Sequence, residues 1–365
     1  MRVAVTLEQC WHSVPGGTAV AALELVRALD SRGDVDLVGV AARHQSPPPE
    51  AWRPSIAVRH LWTPRSLLYE LWHARVPLAP RVEHVTGPVD VVHGTAVAFP
   101  RAEAPVVMTI HDLAFLDDPG LVTKHGLRFF RRGTDLAREH ARLVMCPSRA
   151  TMEDCMLAGF DRDRLRLVPL GVRAVQRTLD EVAHAQAKFG LARPYVMFTG
   201  TVEPRKNVRR LLKAFARIAR QDVDLVLAGP AGWNESLEVD LAPLEGRVHV
   251  LGFVERDELE ALLAGADVFC LPSLKEGFGL PVLEAMSQGA AVVTSTGTST
   301  AEVAGDAALL VDPLDEGAIA TAIEELLEDR ALADRLSAAA QARAATFTWE
   351  RTAEAAMAVY EEAVT

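Results

Sequence analysis

Short apolar segments alternate with helical patterns along the chain, and this alternation restricts the possible folds more than any other feature of the sequence. Parallel neighbouring strands need a crossover of this kind, because a tight turn can join only antiparallel ones. The clearest helix is 208–220, which carries one apolar stripe. In the second half of the chain the predicted strands are 195–199, 223–228, 248–251, 268–271, 291–295 and a short one near Leu309. The order predicts a parallel, doubly wound α/β sheet.

The first half of the chain shows the same alternation. A helical pattern through Leu29 follows the first strand, whereas residues 52–85 show no clear pattern. A chain of 365 residues exceeds what one hydrophobic core usually holds. We therefore expect two Rossmann-like domains, 1–172 and 173–348. The strands predicted for the first domain are 2–7, 35–42, 89–93, 105–110 and 141–146.

Composition and charge exclude several classes of protein. The four cysteines form no C-x-x-C pair, which argues against a zinc site and a disulfide framework. The net charge of −11 divides into +2 for residues 1–180 (22 basic, 20 acidic) and −13 for residues 181–365 (16 basic, 29 acidic). This distribution speaks against nucleic acid as a partner. No apolar run reaches the roughly 20 residues of a membrane span, and Glu8 follows the first strand too closely for a signal peptide. We expect a cytoplasmic protein.

The segment 267–286 has the pattern of an anion-binding site. A buried strand leads into a loop with Gly277 and Gly279, and a helix follows that Pro281 can open at its first position. The backbone N–H groups of such a loop, including those of Phe278 and Leu280, and the unpaired donors of the helix start favour a phosphate group.

Two carboxylates and two cations accompany this loop. Glu276 precedes the glycines, where it can reach a polyhydroxyl ligand, and Glu284 follows on the first turn of the helix, where it can accept from vicinal hydroxyls. Arg205 and Lys206 follow another strand and precede a helix, so their charges and the helix dipole can converge on a diphosphate. The alternatives are a glycine-rich turn with solvated glutamates and a pair of exposed basic residues.

Two candidates lie in the first half of the chain. Gly16 and Gly17 follow the first strand without the G-x-G-x-x-G pattern of dinucleotide sites, and they allow a close approach of the main chain to a ligand. A plain turn is the other interpretation. His111 comes at the carboxyl end of a predicted strand, where ligands of open α/β sheets bind. It could equally be satisfied by Asp112 or by the main chain.

The spacing of the two glutamates around Gly277-Phe-Gly-Leu-Pro281 resembles the signature of glycosyltransferase family 4, whose members are retaining enzymes with the GT-B fold. The resemblance implies two Rossmann-like domains that face each other across a cleft, with the last helix, 349–365, crossing back to the first domain. It also implies site roles. The donor phosphates would be held by Arg205, Lys206 and the loop Gly277, Phe278, Gly279 and Leu280, the ribose by Glu284 and the sugar by Glu276; Gly16 and Gly17 would face the sugar phosphate, and His111 would lie near the transferred sugar.

The resemblance further implies transfer of a hexose, with mannose from GDP-mannose as the favoured donor, to a glycan or a lipid-linked acceptor. The catalytic candidates are His111, Glu276, Arg205 and Lys206, with no cofactor beyond the nucleotide sugar. A sugar-nucleotide epimerase on a similar scaffold and a non-catalytic nucleotide-sugar-binding partner are the alternative functions.

Two further patterns bear on partners. The basic segment 124–132 could contact anionic lipid at the inner membrane face, or it could bury its phenylalanines and expose its arginines. Asp34 and Asp36, like Asp222 and Asp224, have D-x-D spacing but precede strands, so we interpret them as solvated turn residues and expect no essential metal.

Overall fold

The computed structural model describes residues 1–12, 16–173, 175–230, 232 and 237–365. The chain divides into two compact units. The first comprises Met1–Gly171 together with Trp349–Thr365, and the second comprises Val172–Thr348.

The described residues form parallel strands separated by helices. The strands are β1 Arg2–Thr6, β2 Asp36–Ala41, β3 Val58–His60, β4 Val91–Gly94, β5 Val106–Thr109, β6 Leu143–Cys146, β7 Leu165–Leu167, β8 Tyr195–Thr199, β9 Asp224–Ala228, β10 Val248–Gly252, β11 Val268–Leu271, β12 Ala291–Ser295 and β13 Leu309–Val311. The helices are α1 Gly16–Arg32, α2 Arg65–Ala74, α3 Glu83–Thr86, α4 Ala114–Asp117, α5 Lys124–His140, α6 Arg149–Leu157, α7 Leu179–Lys188, α8 Val208–Arg217, α9 Glu238–Leu241, α10 Arg256–Ala264, α11 Leu280–Gln288, α12 Ser299–Ala304, α13 Glu316–Glu328, α14 Arg330–Ala344 and α15 Trp349–Val364. Short 3-10 helices occupy Glu8–Trp11, Glu50–Trp52, Pro119–Leu121, Arg162–Arg164, Pro204–Lys206 and Ala242–Leu244.

The first unit is built on a seven-stranded parallel sheet in the order β3-β2-β1-β4-β5-β6-β7. Val3 pairs with Val91 and Val107 with Leu143, so β1, β4, β5 and β6 share the centre of the sheet. Every residue of β4 and β6 is buried, as in central strands of a parallel sheet, and β6 is accordingly a continuous apolar run. The strand order reverses between β1 and β4. In open α/β sheets, ligands bind in the crevice beyond the carboxyl ends of the strands at such a reversal.

The segment 52–85, which shows no pattern in the sequence, contains β3, α2 and α3. Trp72 on α2 is buried, and its Nε1 donates a hydrogen bond of 2.8 Å to the Pro80 carbonyl. Trp62, by contrast, is 53% exposed. Packing therefore accounts for Trp72 but not for Trp62.

The final helix, α15, belongs to the first unit and packs on α1 and on β4, β5 and β6. The Tyr360 hydroxyl lies 2.8 Å from Nδ1 of His93, and the Nε2 of His93 lies 2.7 Å from the Thr109 hydroxyl. His93 is fully buried, and burial lowers its pKa to about 3, so it is neutral at physiological pH. Thr352 donates to the Pro169 carbonyl at 2.8 Å.

The basic segment at the start of α5 packs its half-buried aromatic rings within the first unit. Phe129 stacks on His73 at 4.5 Å and on Tyr69 at 5.3 Å, and Phe130 stacks on Phe115 at 5.4 Å. Arg131 is exposed on the same helix. Of the two interpretations of 124–132, the structure is nearer to the one with packed phenylalanines and exposed arginines, although the two phenylalanines are half-buried rather than fully buried.

The second unit is built on a six-stranded parallel sheet in the order β10-β9-β8-β11-β12-β13. On α8 the apolar stripe is buried, but the helix ends at Arg217 rather than at residue 220. Ile218 has an extended backbone and does not continue the helix, but its side chain is still buried in the core. Thr178 and Glu181 form a capping box that begins α7.

The two parallel, doubly wound sheets confirm the α/β fold class expected from the sequence. Over the part of the chain that the structure describes, no helix is both long enough and apolar enough to span a membrane.

Candidate active site

The loops that follow β8 and β11 lie side by side in the second unit. These strands are neighbours, with Val268 opposite Val196, and the strand order reverses between them. Leu274 N–H donates to the Arg205 carbonyl at 2.8 Å, and the Asn207 side chain donates to the Pro272 carbonyl at 2.9 Å. Residues predicted as one site from two distant segments are therefore brought together at the carboxyl edge of the sheet.

Glu276 is the centre of this arrangement. Its Oε2 accepts a hydrogen bond of 2.6 Å from Arg205, and its Oε1 accepts bonds of 2.8 Å from Lys206 and 2.9 Å from the Ser273 hydroxyl. Burial alone would raise the pKa of this carboxyl, but the charges of Arg205 and Lys206 outweigh it and lower the pKa to about 2. Glu276 is therefore a fixed anion, and Ser299 holds its carbonyl with a bond of 2.7 Å.

Arg205 also binds a second carboxylate that sequence reasoning missed. Its Nη2 donates to Glu203 at 2.7 Å, and its Nη1 donates to the Lys275 carbonyl at 3.1 Å. Glu203 is buried, so solvent screens its interaction with Arg205 only weakly. The sequence signal was its position two residues before Arg205 in the Glu203-Pro-Arg-Lys-Asn207 stretch. Arg205 and Lys206 are thus held by carboxylates from two loops rather than standing as bare cations.

Lys206 packs against Gly200, which directly follows β8 in the same loop. Gly200 has φ +138°, and a Cβ at this position would lie 2.8 Å from both Cδ and Cε of Lys206. Only glycine tolerates both this conformation and this contact. Asn207, with φ 62°, then begins α8.

The glycine loop and α11 form the other side of the site. Gly279 is the N-cap of α11 with φ +107°, and a Cβ there would lie 2.8 Å from the Thr300 methyl group. Pro281 is the second helical residue, not the first as expected, because the helix begins at Leu280. Phe278 is buried and meets the ring of Phe347 edge-on at 6.0 Å. Its side chain therefore contributes to the packing of the second unit.

Glu284 lies in the second turn of α11, one turn later than expected. It is half-buried, and burial raises the pKa of its carboxyl to about 7, with Arg256 opposing and Glu260 reinforcing the shift. Among the residues described, none donates a hydrogen bond to this carboxylate. Such a group can accept from ligand hydroxyls when it is ionised.

His111 follows β5 at the carboxyl edge of the first unit's sheet. Its Nε2 lies 3.0 Å from the Thr95 carbonyl, to which it donates, and burial lowers its pKa, so the ring is neutral. Asp112 instead accepts from the Ala114 N–H at 3.1 Å. The main chain, not Asp112, therefore orients His111, and its Nδ1 is left as a hydrogen-bond acceptor.

Gly16 opens α1 with φ +65°, a conformation that favours glycine, and Gly17 follows within the helix. Residues 13–15 of the same loop lie outside the described part of the chain.

An aromatic cavity that sequence reasoning missed lies on the same edge of the first unit. It has a volume of about 380 Å³ and is lined by Trp11, His44 and His60 together with prolines. The Trp11 ring stacks on His44 at 4.6 Å, and its Nε1 donates to the Ser46 carbonyl at 2.9 Å. Two of these residues follow β1 and β2, but His60 ends β3, which the sequence did not predict.

The aspartate pairs form no shared site in the structure. Asp34 pairs with Arg32 at 2.7 Å, Asp222 with Arg220 at 2.7 Å, and Asp224 lies 3.1 Å from His249. Asp224 is buried, which corrects its interpretation as a solvated residue. Within the described ranges, no three His, Cys, Asp or Glu residues are placed to hold a metal ion.

The chain is similar to known proteins in sequence and in fold. The family described as Glycosyltransferase Family 4 matches residues 15–176, and that described as Glycosyl transferases group 1 matches residues 180–343. O-antigen chain mannosyltransferase B of Escherichia coli is 33% identical over 270 residues, which cover 71% of each chain. MMP alpha-(1->4)-mannosyltransferase of Mycolicibacterium hassiacum is 30% identical over 349 residues, 87% of this chain and 82% of that protein. The crystal structure of Anabaena HepE with UDP and glucose has a TM-score of 0.80 at 19% identity and covers 99% of this chain and 100% of that one.

Two Rossmann-like domains and these matches define the class, a glycosyltransferase with the GT-B fold. Within that class, the chain belongs to glycosyltransferase family 4.

Proposed function

We propose that the protein transfers a hexose from a nucleotide diphospho-sugar to a glycan or lipid-linked acceptor, with retention of configuration and with GDP-mannose as the favoured donor. The observation that carries the proposal is the bonding of Arg205 and Lys206 to Glu276, directly beside the Gly277–Gly279 turn. The mannosyltransferase names of two relatives support the choice of sugar. The UDP and glucose in the HepE crystal structure make a UDP-sugar the main competitor.

The donor diphosphate is proposed to bind between the two cations and the start of α11. Arg205 and Lys206 are held by bonds of 2.6 and 2.8 Å to Glu276, so little reorganisation is needed when the diphosphate arrives. Negative charge grows on the leaving diphosphate during transfer, and fixed cations and N–H groups stabilise that charge more than the ground state. Glu284 accepts from the ribose hydroxyls, and Glu276 contacts the sugar.

The acceptor proton needs no protein base in this proposal. The departing phosphate oxygen takes it as the new glycosidic bond forms and the bond from the sugar to the phosphate breaks. Glu276 is unsuited to be a base, because its pKa of about 2 leaves it without affinity for a proton near neutral pH. His111 is proposed to orient the sugar or the acceptor through its neutral ring.

The acceptor is proposed to use the cavity of Trp11, His44 and His60 in the first unit. Aromatic rings bind the apolar faces of sugars, and a volume of about 380 Å³ is in the range of ligand pockets. The exposed arginines of 124–132 are proposed as the contact with anionic lipid when the acceptor is lipid-linked; the phenylalanines of this segment are used within the unit.

The test begins with a thermal-shift panel of GDP-mannose, UDP-glucose, a dTDP-sugar and an ADP-sugar, since a bound ligand stabilises the folded state. Arg205→Ala combined with Lys206→Ala should abolish transfer and weaken donor binding at least tenfold by calorimetry. Lys213→Ala, an exposed cation on α8, is the matched control.

Three results bear on the remaining parts of the proposal. Donor affinity that is unchanged in the double variant would contradict the phosphate site, and an inverted anomeric product by NMR would contradict retention. Activity that EDTA abolishes and a divalent ion restores would contradict the proposed metal independence.

A further inference from the structure

A second cavity in the first unit is lined by arginines. It has a volume of about 650 Å³, and its lining includes five arginines but a single carboxylate, Glu103. The arginines are Arg75, Arg81, Arg101, Arg142 and Arg164. Like charges repel one another at this density, so an excess of four positive charges around one cavity favours an anionic occupant.

The cavity lies at the amino edge of the first unit's sheet, opposite to the carboxyl edge that carries His111. Arg142 immediately precedes β6, Arg164 immediately precedes β7, and the lining residue Pro105 immediately precedes β5. His111 instead follows β5, at the carboxyl edge. One strand length therefore separates this cavity from His111, and the two sites cannot share a ligand group.

Two of the arginines are fixed by neutral partners. Arg101 donates to the carbonyls of Val76 and Ala79 at 2.8 and 2.9 Å and to that of Pro77. Arg164 donates to the Ala141 carbonyl at 3.1 Å and to that of Arg138 at 2.5 Å. Carbonyl oxygens orient a guanidinium group without neutralising its charge. These side chains are therefore held in place with their positive charge intact.

The remaining arginines differ in their partners. Arg81 is paired with Glu103. The exposed Arg75 and Arg142 have no hydrogen-bonded carboxylate among the described residues, and Glu362, the carboxylate within electrostatic reach of Arg142, is already bound to Arg166. Arg75 and Arg142 can thus rotate onto a ligand.

Two further carboxylates, Glu83 and Glu139, lie near the cavity but do not line it. Glu83 uses one oxygen to accept from the N–H groups of Glu103 and Ala104, at 2.7 and 3.0 Å. Glu139 lies 3.6 Å from His140, and burial and the charge of Arg75 both lower the pKa of His140. His140 therefore adds no charge of its own near neutral pH.

We propose that this arginine-lined cavity binds a ligand carrying two or more phosphate groups, at a site separate from the sugar-transfer site. Guanidinium groups match phosphate oxygens with paired donors, and the cavity volume is in the range of small-molecule sites. A soluble metabolite with two or more phosphate groups and a bilayer surface that presents several headgroup phosphates share this chemistry.

The experiment titrates tripolyphosphate into the full-length Arg205→Ala, Lys206→Ala variant by calorimetry, which removes the proposed donor phosphate site. The same titration in the wild-type chain saturated with nucleotide sugar provides an independent measurement if that variant does not fold. In both backgrounds, Arg75→Gln with Arg142→Gln should weaken binding about tenfold or more, whereas Arg59→Gln, an exposed arginine on β3, should not change it. Because both residues are exposed, the substitutions should leave the fold intact.

Sedimentation with vesicles of phosphatidylglycerol and phosphatidylcholine, against phosphatidylcholine alone, distinguishes the two sources. Sedimentation that requires phosphatidylglycerol, is lost in the Arg75, Arg142 variant and is competed by tripolyphosphate identifies a lipid headgroup; tripolyphosphate binding without vesicle binding identifies a soluble ligand. Equal affinities in the Arg75, Arg142 variant and the Arg59 variant, or no binding of tripolyphosphate at millimolar concentration, would overturn the proposal. Neither result depends on whether the protein transfers sugar.

Discussion

Glu276 accepts hydrogen bonds from a guanidinium, an ammonium and a hydroxyl group in a buried setting. Its pKa of about 2 lies below the ordinary value of 4.5, so the ionised form stabilises the fold above pH 4.5, and this contribution is lost as the pH falls towards 2. At any pH above 4.5, Glu276 therefore keeps its charge and helps to fix the positions of Arg205 and Lys206.

Replacing Glu276 by Gln should separate turnover from donor binding. The two cations lose their shared anion and bind a diphosphate at least as strongly. Lys206 loses its carboxylate partner while Arg205 keeps Glu203, so the pair is held less firmly for the transition state. We expect turnover to fall about 100-fold, with donor affinity within about threefold of the wild type or tighter. Steady-state kinetics and calorimetry measure the two effects. Glu245→Gln, an exposed glutamate of the same unit, is the control, and full activity of Glu276→Gln would contradict the role.

Glu284 should make donor affinity depend on pH. Its pKa of about 7 means that it is mostly protonated at pH 6 and mostly ionised at pH 8, and only the ionised form can accept from both ribose hydroxyls. Donor affinity should therefore rise roughly tenfold across this interval, the change in the ionised fraction. Calorimetry with GDP-mannose or UDP-glucose is suitable, because the diphosphate of such a donor is esterified at both ends and does not titrate between pH 6 and pH 8. Glu284→Gln should remove the dependence, and a wild-type affinity that is flat with pH would refute it.

The loop between β11 and α11 is the element on which the phosphate site depends. Gly279 has a positive φ, and a Cβ at this position would lie 2.8 Å from the Thr300 methyl group. The loop can therefore adopt this conformation, and place the Gly279 N–H, because position 279 has no side chain. The same loop carries Glu276 to Arg205 and Lys206.

Gly279→Ala should therefore weaken donor binding as well as the fold. The Cβ would need Thr300 to move, and we expect a loss of about 1–3 kcal/mol in the free energy of unfolding and at least a tenfold loss in donor affinity. Gly190→Ala is the matched control, because Gly190 also has a positive φ, of +70°, but nothing lies within 4 Å of its Cβ position. Denaturant unfolding and calorimetry give both values. Equal effects of the two variants on donor affinity would show that contact at Gly279 is unimportant.

The sequence predicted the helices, strands and site segments better than their contacts. Glu276, Arg205 and Lys206 are each marked by a local pattern, but their mutual bonds follow from β8 lying next to β11, which chain order does not state. Glu203 was missed for the same reason. The strand β3 was missed because it has three residues and its Arg59 and His60 are exposed, so it lacks the apolar run of a central strand. The end of α8 was placed too late because burial of Ile218 mimics helical periodicity.

At the scale of the whole molecule, the first unit is completed by the last residues of the chain. The helix α15 packs on α1, and Tyr360 reaches the buried His93 on β4. His93 is neutral, so one of its nitrogens accepts while the other donates, and its two partners satisfy both.

Tyr360→Phe should destabilise the protein without a change in the donor site. Removing the hydroxyl leaves a buried nitrogen of His93 unpaired, which costs about 1–3 kcal/mol. Tyr69→Phe is the control, because the Tyr69 hydroxyl makes no hydrogen bond with the described residues, and its loss should cost less than about 0.5 kcal/mol. Urea unfolding measures both. Equal stability of the two variants would contradict the role of the Tyr360 contact.

The membership of α15 in the first unit has a consequence for biosynthesis. A ribosome makes Met1–Gly171 first, yet the helix that covers α1 and pairs with His93 is made only after all of Val172–Thr348. The second unit can close on its own while the nascent chain is still attached. The first must wait with an apolar surface uncovered until α15 has been made, so a chain that stops before Trp349 is expected to be a substrate for chaperones and proteases.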